Sequence, residues 1–234
     1  MMPSGLRKQF LLHSKKSHYQ RRVDEALQNI DAFLDVCETP YISVSGGKDS
    51  SVLLHLCRRV YSLLDAVHLD LHAAYPETET LLNTYNNLKY VDVGSRLEML
   101  KEQGMHAKGT KGFSDDWMHD AGYDGFFYGL RAEESAARRK LIGKIYYQKK
   151  NGVWVCQPLI RWRYEDIWAY IVSEDVKYNA LYDLAWDRPK NAQRVACYGL
   201  TKAANYGSVA YMKMTHPELF NIIIKYTDKF REFV

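Results

Sequence analysis

The most constraining feature of the sequence is a short apolar run that passes directly into a loop of small residues and then into an amphipathic helix. Residues 41–44 predict a buried strand, and the segment Ser-Gly-Gly-Lys-Asp-Ser-Ser at 45–51 follows without a break. Apolar residues then recur at helical spacing from Val52 to Val60. Glycines let backbone N–H groups approach an anion closely, and the start of a helix adds a partial positive charge. The pattern therefore predicts an anion-binding turn at the end of a strand.

Strands and helices alternate through the first two thirds of the chain. Short apolar runs at 66–71, 90–93 and 125–129 predict further strands, and Pro76 opens a helix that is expected to run through Leu88. Such alternation favours a parallel sheet covered by helices on both faces. The predicted class is therefore α/β, with a mostly parallel sheet and a helical C-terminal extension.

Other elements flank this α/β segment. Residues 1–17 are expected to form a loosely ordered arm, residues 19–36 a helix, and residues 144–155 a hairpin around Asn151 and Gly152. A helix is predicted at 164–172, and Thr215 and Glu218 have capping-box spacing before a helix through Phe233. We therefore divide the chain into an N-terminal arm and helix (1–40), an α/β domain (41–182) and a helical extension packed on it (183–234).

Composition narrows the class of protein. The 234 residues are 47% hydrophobic and 13% aromatic, which excludes disorder as the general state. The net charge of +4 fits an anionic substrate or a nucleic acid and does not choose between them. No apolar run approaches the roughly 18–20 residues that cross a bilayer, and the four cysteines form no CxxC pair, which argues against a zinc knuckle or a disulfide framework. We expect a soluble, cytoplasmic protein.

The loop residues suit phosphate chemistry. Lys48 supplies a full positive charge, and Gly46 and Gly47 expose backbone N–H groups. Asp49 would repel a phosphate, so its expected role is to hold Mg²⁺ that bridges to phosphate oxygens. The hydroxyls expected to donate to phosphate oxygens are those of Ser45, Ser50 and Ser51. The spacing differs from the Walker A pattern GxxxxGK[ST].

These residues carry a family resemblance. The segment SGGKDS at 45–50 resembles the PP-loop of the ATP pyrophosphatases, and its continuation at 50–56 resembles the small subunit of bacterial sulfate adenylyltransferase. Residues 129–139 look like the G-x-R-x-x-E-S-x-x-R signature of the phosphoadenosine phosphosulfate (PAPS) reductase superfamily, and residues 157–171 are similar to its PL-to-DIW-x-YI segment. Residues 75–78 resemble its PET segment after the second strand.

The resemblance implies a Rossmann-like, HUP-type sheet and ATP with Mg²⁺ as cofactors. It also implies that His68 and Asp70, at the end of the second strand, lie near the adenine and ribose, although a core role for His68 is at least as reasonable. Arg131 and Arg138 follow a strand end and would clamp an anion facing the α-phosphate, with Glu134 holding an arginine in place. The alternative for Glu133, Glu134, Arg138 and Arg139 is that they are simply charges on an exposed helix.

Two reactions compete. In adenylyl transfer, an acceptor oxyanion attacks the α-phosphate of ATP and pyrophosphate leaves. In reduction of PAPS or adenylyl sulfate, a cysteine thiolate attacks sulfur and thioredoxin resolves the product. Lys48 and Asp49 suit pyrophosphate plus metal, and Cys197 lacks the flanking Glu and His of the reductase motif, so adenylyl transfer leads.

The acceptor stays open: sulfate, a flavin mononucleotide, or a group on tRNA or DNA about to be thiolated. A third class is a nucleotide-binding subunit of a nucleic-acid-modifying complex. We expect a homo-oligomer and allow for a GTPase-like or nucleic-acid-modifying partner subunit. A basic cluster before Cys197 is surface by default, and an N-terminal basic arm fits nucleic acid; their residues are Arg188, Lys190 and Arg194, and Arg7, Lys8, Lys15, Lys16, Arg21 and Arg22.

Overall fold

A computed structural model describes residues 1–70, 72, 74–95, 117–187, 195 and 210–226. The predicted basic cluster, Cys197 and the end of the last helix lie outside these described residues. Among the described residues, no helix is both long and apolar enough to cross a membrane. Within the described residues, the helices whose two ends are placed are α1 Ser4–Ser14, α2 Ser17–Leu34, α3 Lys48–Val60, α4 Pro76–Leu82, α5 Ala136–Arg139, α6 Tyr164–Ser173 and α7 Pro217–Tyr226, with 3-10 turns at Ala132–Glu134 and Ala180–Leu184.

In the described part of the chain, six strands form one sheet in the order β3-β2-β1-β4-β6-β5. Their bounds are β1 Pro40–Ser43, β2 Ala66–Asp70, β3 Leu88–Asp92, β4 Gly125–Phe127, β5 Tyr146–Gln148 and β6 Trp154–Cys156. Neighbouring strands are parallel except for β5, which pairs antiparallel with β6 as a hairpin. The predicted α/β class and mostly parallel sheet are confirmed.

The sheet order places a crevice beside β1. From β1 the chain builds outward through β2 and β3, and it then returns to the other side of β1 with β4. Such a reversal of strand order opens a crevice at the carboxyl ends of the two central strands, where open α/β sheets bind ligands. The predicted loop follows β1, so the fold places it at this crevice.

Each face of the sheet has its own hydrophobic core. Alternation along β1 sends Ile42 to the face covered by α2, α3 and α6, and Tyr41 to the opposite face. On that opposite face Tyr41 packs with Met118 and Tyr123. The helix-covered face is the larger core and holds the fully buried Trp168.

The prediction of a loosely ordered arm at 1–17 is wrong. Most of this segment is α1, which packs on α6. Phe10 is buried and stacks on Trp168 with ring centroids 6.2 Å apart, and His13 Nε2 lies 2.8 Å from Asp166 Oδ1. The apolar residues at 10–12 are consecutive and lie in a basic segment, so they do not recur at helical spacing. The sequence pattern therefore did not indicate this helix.

Two helix ends also differ from expectation. The helix opened by Pro76 ends at Leu82, six residues before the expected Leu88. The capping box predicted before α7 does not form, because Thr215 belongs to the preceding helical turn and its hydroxyl donates to the Tyr211 carbonyl at 2.8 Å. Trp162, Trp168 and Tyr170 are buried in the core.

Candidate nucleotide-binding site

The loop after β1 is fixed by close packing at Gly46. Its φ is +73°, and a Cβ there would lie 2.6 Å from Thr78 Cγ2. Buried Asn179 donates from Nδ2 to the Gly46 carbonyl at 3.3 Å and to Thr78 Oγ1 at 2.7 Å. Glycine is therefore required by both backbone and space, and an amide from the far end of the domain holds the loop in place.

The three loop serines take different positions. Ser50 Oγ donates to the Gly47 carbonyl at 2.9 Å and accepts from the Ser45 backbone N–H at 3.2 Å. Ser51 Oγ donates to the same carbonyl at 3.0 Å and accepts from the Tyr85 hydroxyl at 2.8 Å. Ser45 and Ser50 line the cavity described below, whereas Ser51 is buried beneath the loop.

Lys48 is a buried cation at the start of α3. Its side chain is 3% exposed, and Nζ lies 3.0 Å from Asp49 Oδ2 and 5.3 Å from the centre of the Tyr182 ring. The Lys48 backbone N–H donates to the Tyr182 hydroxyl at 3.1 Å. Burial by itself would lower the pKa of Lys48, but the Asp49 carboxylate outweighs it and raises that pKa above its ordinary value. Lys48 therefore stays protonated throughout the neutral range.

Asp49 joins the loop to the segment after β4. Its Oδ1 accepts from Arg131 Nε, while its Oδ2 accepts from Lys48. Burial would raise the pKa of the Asp49 carboxyl, but Lys48 and Arg131 together hold it below the ordinary value. Asp49 is consequently an anion held between two cations.

The ion pairs continue from Arg131. Its guanidinium also contacts Glu133 and lies 3.8 Å from Glu134 Oε1, and Glu134 Oε2 accepts from Arg138. The expectation that Glu134 holds an arginine in place agrees with these contacts. The network contains three cations and three carboxylates, so its charges are balanced. Its members are Lys48, Asp49, Arg131, Glu133, Glu134 and Arg138.

Gly129 allows the two segments to meet. A Cβ at Gly129 would lie 3.2 Å from the carbonyl carbon and oxygen of Asp49 and 3.3 Å from the Ser50 nitrogen. The backbone after β4 therefore rests directly against the first turn of α3. This contact brings Arg131 within reach of Asp49.

These elements enclose a cavity of about 270 Å³ at the crevice, the loop cavity. Of the residues predicted for the site, the structure brings together Ser45, Gly47, Lys48, Asp49, Ser50 and Arg138 as its lining. Arg131 is not part of this lining, and its guanidinium contacts two residues that are, Asp49 and Glu134.

The two residues predicted near an adenine and ribose lie apart from the cavity lining. His68 is buried, and its Nδ1 lies 2.8 Å from the Val44 carbonyl, one residue before the loop. Asp70 ends β2 and accepts from the backbone N–H of His72 at 2.7 Å. His68 therefore supports the strand that carries the loop, and Asp70 orders the turn after β2.

Sequence reasoning missed the residues that hold the loop from behind. Tyr182, Asn179 and Thr78 make the contacts described above, yet they are distant from the loop in sequence. The sequence marked Gly129 only as the first residue of the G-x-R-x-x-E-S-x-x-R signature. No periodicity or spacing connects these positions, because their roles depend on tertiary contacts.

The described cysteines do not contribute to the lining of the loop cavity. Cys37, Cys57 and Cys156 are free and buried. Burial raises the pKa of each thiol, and at Cys37 the hydrogen bond to Asp124 Oδ1 at 2.9 Å raises it further. Among the described residues, no thiol lines the cavity.

Fold, loop and ion-pair network together define an α/β protein with a glycine-containing turn and a buried lysine at the sheet crevice. The sequence profile of the phosphoadenosine phosphosulfate reductase domain matches residues 39–217, and the chain belongs to this family. An uncharacterized protein of Methanocaldococcus jannaschii is 26% identical over 95% of the chain and 56% of its own length. The chain thus spans just over half of that relative.

A second relative and a solved structure are similar. Adenosine 5'-phosphosulfate reductase 2 of Bacillus subtilis is 26% identical over 68% of the chain and 75% of its own length. The crystal structure of the FMN adenylyltransferase of Candida glabrata superposes with a TM-score of 0.56 at 17% identity, over 76% of this chain and 65% of that one. This last similarity is one of fold.

Proposed function

We propose that the chain binds ATP with its phosphates in the loop cavity, cleaves it between the α and β phosphates, and transfers AMP to an anionic acceptor. One observation carries the proposal: protonated Lys48, Asp49 and Ser50 line one cavity at the crevice of the sheet. A buried cation beside a small-residue turn compensates phosphate charge more strongly than an exposed cation would.

The proposed step needs no protein nucleophile. An oxyanion of the acceptor attacks the α-phosphorus and forms a new P–O bond. The bond from that phosphorus to the oxygen bridging to the β-phosphorus breaks, and its electron pair leaves with pyrophosphate. Lys48 compensates the charge that develops on pyrophosphate, and Ser45 donates a hydroxyl hydrogen bond to it. Ser50 holds the turn through its hydrogen bond to the Gly47 carbonyl, and Arg138 holds the acceptor from the opposite wall.

Charge balance supports Mg²⁺ as part of the proposal. The network has as many carboxylates as cations, so a bound triphosphate adds charge that these residues do not offset. Each carboxylate oxygen of Asp49 accepts one hydrogen bond and keeps a further lone-pair direction. Mg²⁺ is commonly held by one or two carboxylates together with phosphates, so Asp49 fits this role. The ion would supply positive charge to the departing pyrophosphate.

Reduction of an adenylyl sulfate is the second candidate, and the names of the relatives support it more directly than they support transfer. The Bacillus subtilis relative is named a reductase. In this reaction a cysteine thiolate attacks sulfur, AMP leaves, and thioredoxin resolves the sulfur-modified cysteine. The raised pKa of the buried Cys37, Cys57 and Cys156 leaves Cys197 as the candidate thiol.

Acceptor and partners remain proposals. Sulfate follows from the loop resemblance, and a flavin mononucleotide is suggested by the fold neighbour that adenylates FMN. Exposed basic side chains lie on α1 and next to it, among them Arg7, Lys8 and Lys16. Their positive charge supports a nucleic-acid acceptor, or a partner subunit that modifies nucleic acid, as a further proposal. A homo-oligomer and a GTPase-like partner rest on resemblance alone.

Product analysis separates the two reactions. The protein is incubated with Mg²⁺ and ATP labelled at the α and γ phosphates, with sulfate or FMN as acceptor, and separately with adenylyl sulfate and reduced thioredoxin. We expect an AMP adduct together with intact pyrophosphate, and we expect Cys197→Ser to preserve this activity. Release of ADP and phosphate would contradict the proposal. Sulfite and AMP from adenylyl sulfate, lost in Cys197→Ser, would establish the reductase instead.

A further inference from the structure

A second cavity adjoins the loop cavity on the sheet face opposite α3. Its volume is about 460 Å³, within the range of sites that bind small molecules. Ser43, Tyr128, Leu130 and Arg138 line both cavities. A molecule in the second cavity would therefore reach the loop cavity at Arg138 without crossing the sheet.

The lining of this cavity is aromatic because of strand alternation. Tyr41 on β1 and Phe126 on β4 point to the same face, and their rings stack with centroids 5.6 Å apart. Tyr128 continues the β4 alternation, and Tyr147 contributes from β5. A surface of this kind suits a planar ring, which gains both apolar burial and stacking.

Gln157 is the exceptional polar residue in this lining. It lies two residues after Val155 on the same face and is only 1% exposed. Both its Nε2 and its Oε1 are buried, and neither has a hydrogen-bond partner. An unpaired buried amide loses its hydrogen bonds to water without replacing them, so such a residue calls for an explanation.

Both backbone groups of Gln157 are hydrogen-bonded, which fixes the position of the residue in the cavity wall. Its N–H donates to the Ile145 carbonyl at 2.7 Å, and its carbonyl accepts from the Ile160 N–H at 3.1 Å. Gln157 therefore lines the cavity as a residue whose backbone is fixed and whose amide donor and acceptor are both unpaired. A carboxamide of this kind pairs with a ring edge that offers an acceptor beside a donor, as nucleobases do.

We propose that the second cavity takes the planar heteroaromatic ring of a mononucleotide, with Gln157 pairing with its polar edge and Arg138 holding its phosphate. Arg138 is 27% exposed and contacts Glu134, so it stands at the boundary of both cavities. This inference deepens the proposed function, because it assigns the acceptor of AMP to the class of mononucleotides. The oxyanion that attacks is then the phosphate held at Arg138.

The test measures binding rather than turnover. FMN, AMP and UMP are titrated into the protein saturated with an ATP analogue that has a methylene group between its α and β phosphorus atoms, with riboflavin, adenosine and uridine as phosphate-free controls. We expect one mononucleotide to bind saturably beside the analogue, and its phosphate-free counterpart to bind at least about tenfold more weakly.

Gln157→Leu and Gln148→Leu are the matched variants, since Gln148 is exposed on β5. We expect Gln157→Leu to weaken mononucleotide binding about tenfold or more, to leave analogue binding unchanged, and to keep or raise the melting temperature, because it removes unpaired buried groups. Gln148→Leu should change neither affinity.

Several results would overturn the inference. These are no saturable binding of any of the three mononucleotides, unchanged binding in Gln157→Leu, or a melting temperature lowered by several degrees, which would show that the amide has an internal partner such as a buried water. Competition with the analogue would assign the ring to the loop nucleotide instead of the acceptor. Binding that depends on Gln157 without any AMP transfer would refute the proposed function while leaving this site in place.

Discussion

At the scale of single residues, Gly46 shows how tightly the loop is specified. It needs a positive φ, and Thr78 occupies the space where a side chain would start. We expect Gly46→Ala to lower the free energy of unfolding by about 2 kcal/mol, because the left-handed backbone of a non-glycine residue costs about 1–3 kcal/mol. Urea unfolding measures this change.

Gly5→Ala is the matched control for Gly46→Ala. Gly5 lies in α1 with open space around its Cβ position, so alanine should be neutral or stabilising there. Equal stability of the two variants would contradict the strained geometry assigned to Gly46.

Asp49 supports the fold as well as the proposed chemistry. Because it lies between Lys48 and Arg131, Asp49→Asn leaves buried cations with less compensation, and breaking such a pair typically costs about 3–5 kcal/mol. We expect the free energy of unfolding to fall by about 3 kcal/mol at about pH 7, as measured by urea titration.

The effect of Asp49→Asn has a defined pH dependence. The pKa of Asp49 is lowered in the folded state, so its stabilisation is present above the unfolded value of about 3.9 and is lost as the pH falls through the folded value. The difference in free energy of unfolding between the native sequence and Asp49→Asn should therefore be constant in the neutral range and shrink in acid. A difference that grows on acidification would contradict the ion pairs.

The thiols provide a chemical test of burial. The pKa of Cys37, Cys57 and Cys156 is raised and their side chains are buried, so the reactive thiolate is scarce at each. We expect the native protein to take up at most one equivalent of iodoacetamide at about pH 8, and the unfolded protein to take up four, by intact mass. Rapid native labelling of any of the three, located by peptide mapping, would show that the described core opens.

At the scale of elements, Asp166 joins the N-terminal helices to α6. Its Oδ2 accepts from the Arg163 backbone N–H at 2.7 Å and from Arg22, and its Oδ1 lies 2.8 Å from His13 Nε2. The same carboxylate therefore caps α6 and anchors α1 and α2. This arrangement explains why residues 4–14 are ordered although their sequence pattern is weak.

Asp166→Asn tests this role. The amide keeps the size of the side chain but loses the charge and one acceptor, so we expect unfolding to become easier by about 2 kcal/mol. Protease cleavage near α1 should also become faster. Asp24→Asn on the exposed face of α2 is the control and should leave both measurements unchanged. An unchanged rate of proteolysis in Asp166→Asn would contradict the conclusion that this carboxylate anchors α1.

The strands, α3 and the glycine-containing turn after β1 were predictable, because they depend on local periodicity and on glycine. Ser45, Lys48 and Ser50 follow from the same local pattern. The positions of α1, Tyr182, Asn179 and Gln157 were not predictable, since each depends on contacts between residues far apart in sequence. The early end of α4 at Leu82 also lacked a local signal, because no proline or glycine follows it.

At the scale of the whole molecule, the order of the strands in the sheet brings the loop cavity, the ion-pair network and the second cavity together. The turn after β1 and the backbone after β4 come from neighbouring parallel strands, so Lys48 and Arg138 meet across one crevice. The second cavity extends from that crevice across the face bearing Tyr41. Both candidate reactions need this crevice to hold the phosphates of an adenine nucleotide.

The most direct test of that claim is equilibrium binding of ATP with Mg²⁺ to the intact protein and to Lys48→Met, with the exposed Lys177→Met as control. Circular dichroism would establish that both variants are folded. We predict that Lys48→Met binds ATP at least about tenfold more weakly, since it removes a buried charge from the phosphate site, and that Lys177→Met binds normally. Unchanged affinity in a folded Lys48→Met protein would contradict the assignment of the loop cavity as the nucleotide site.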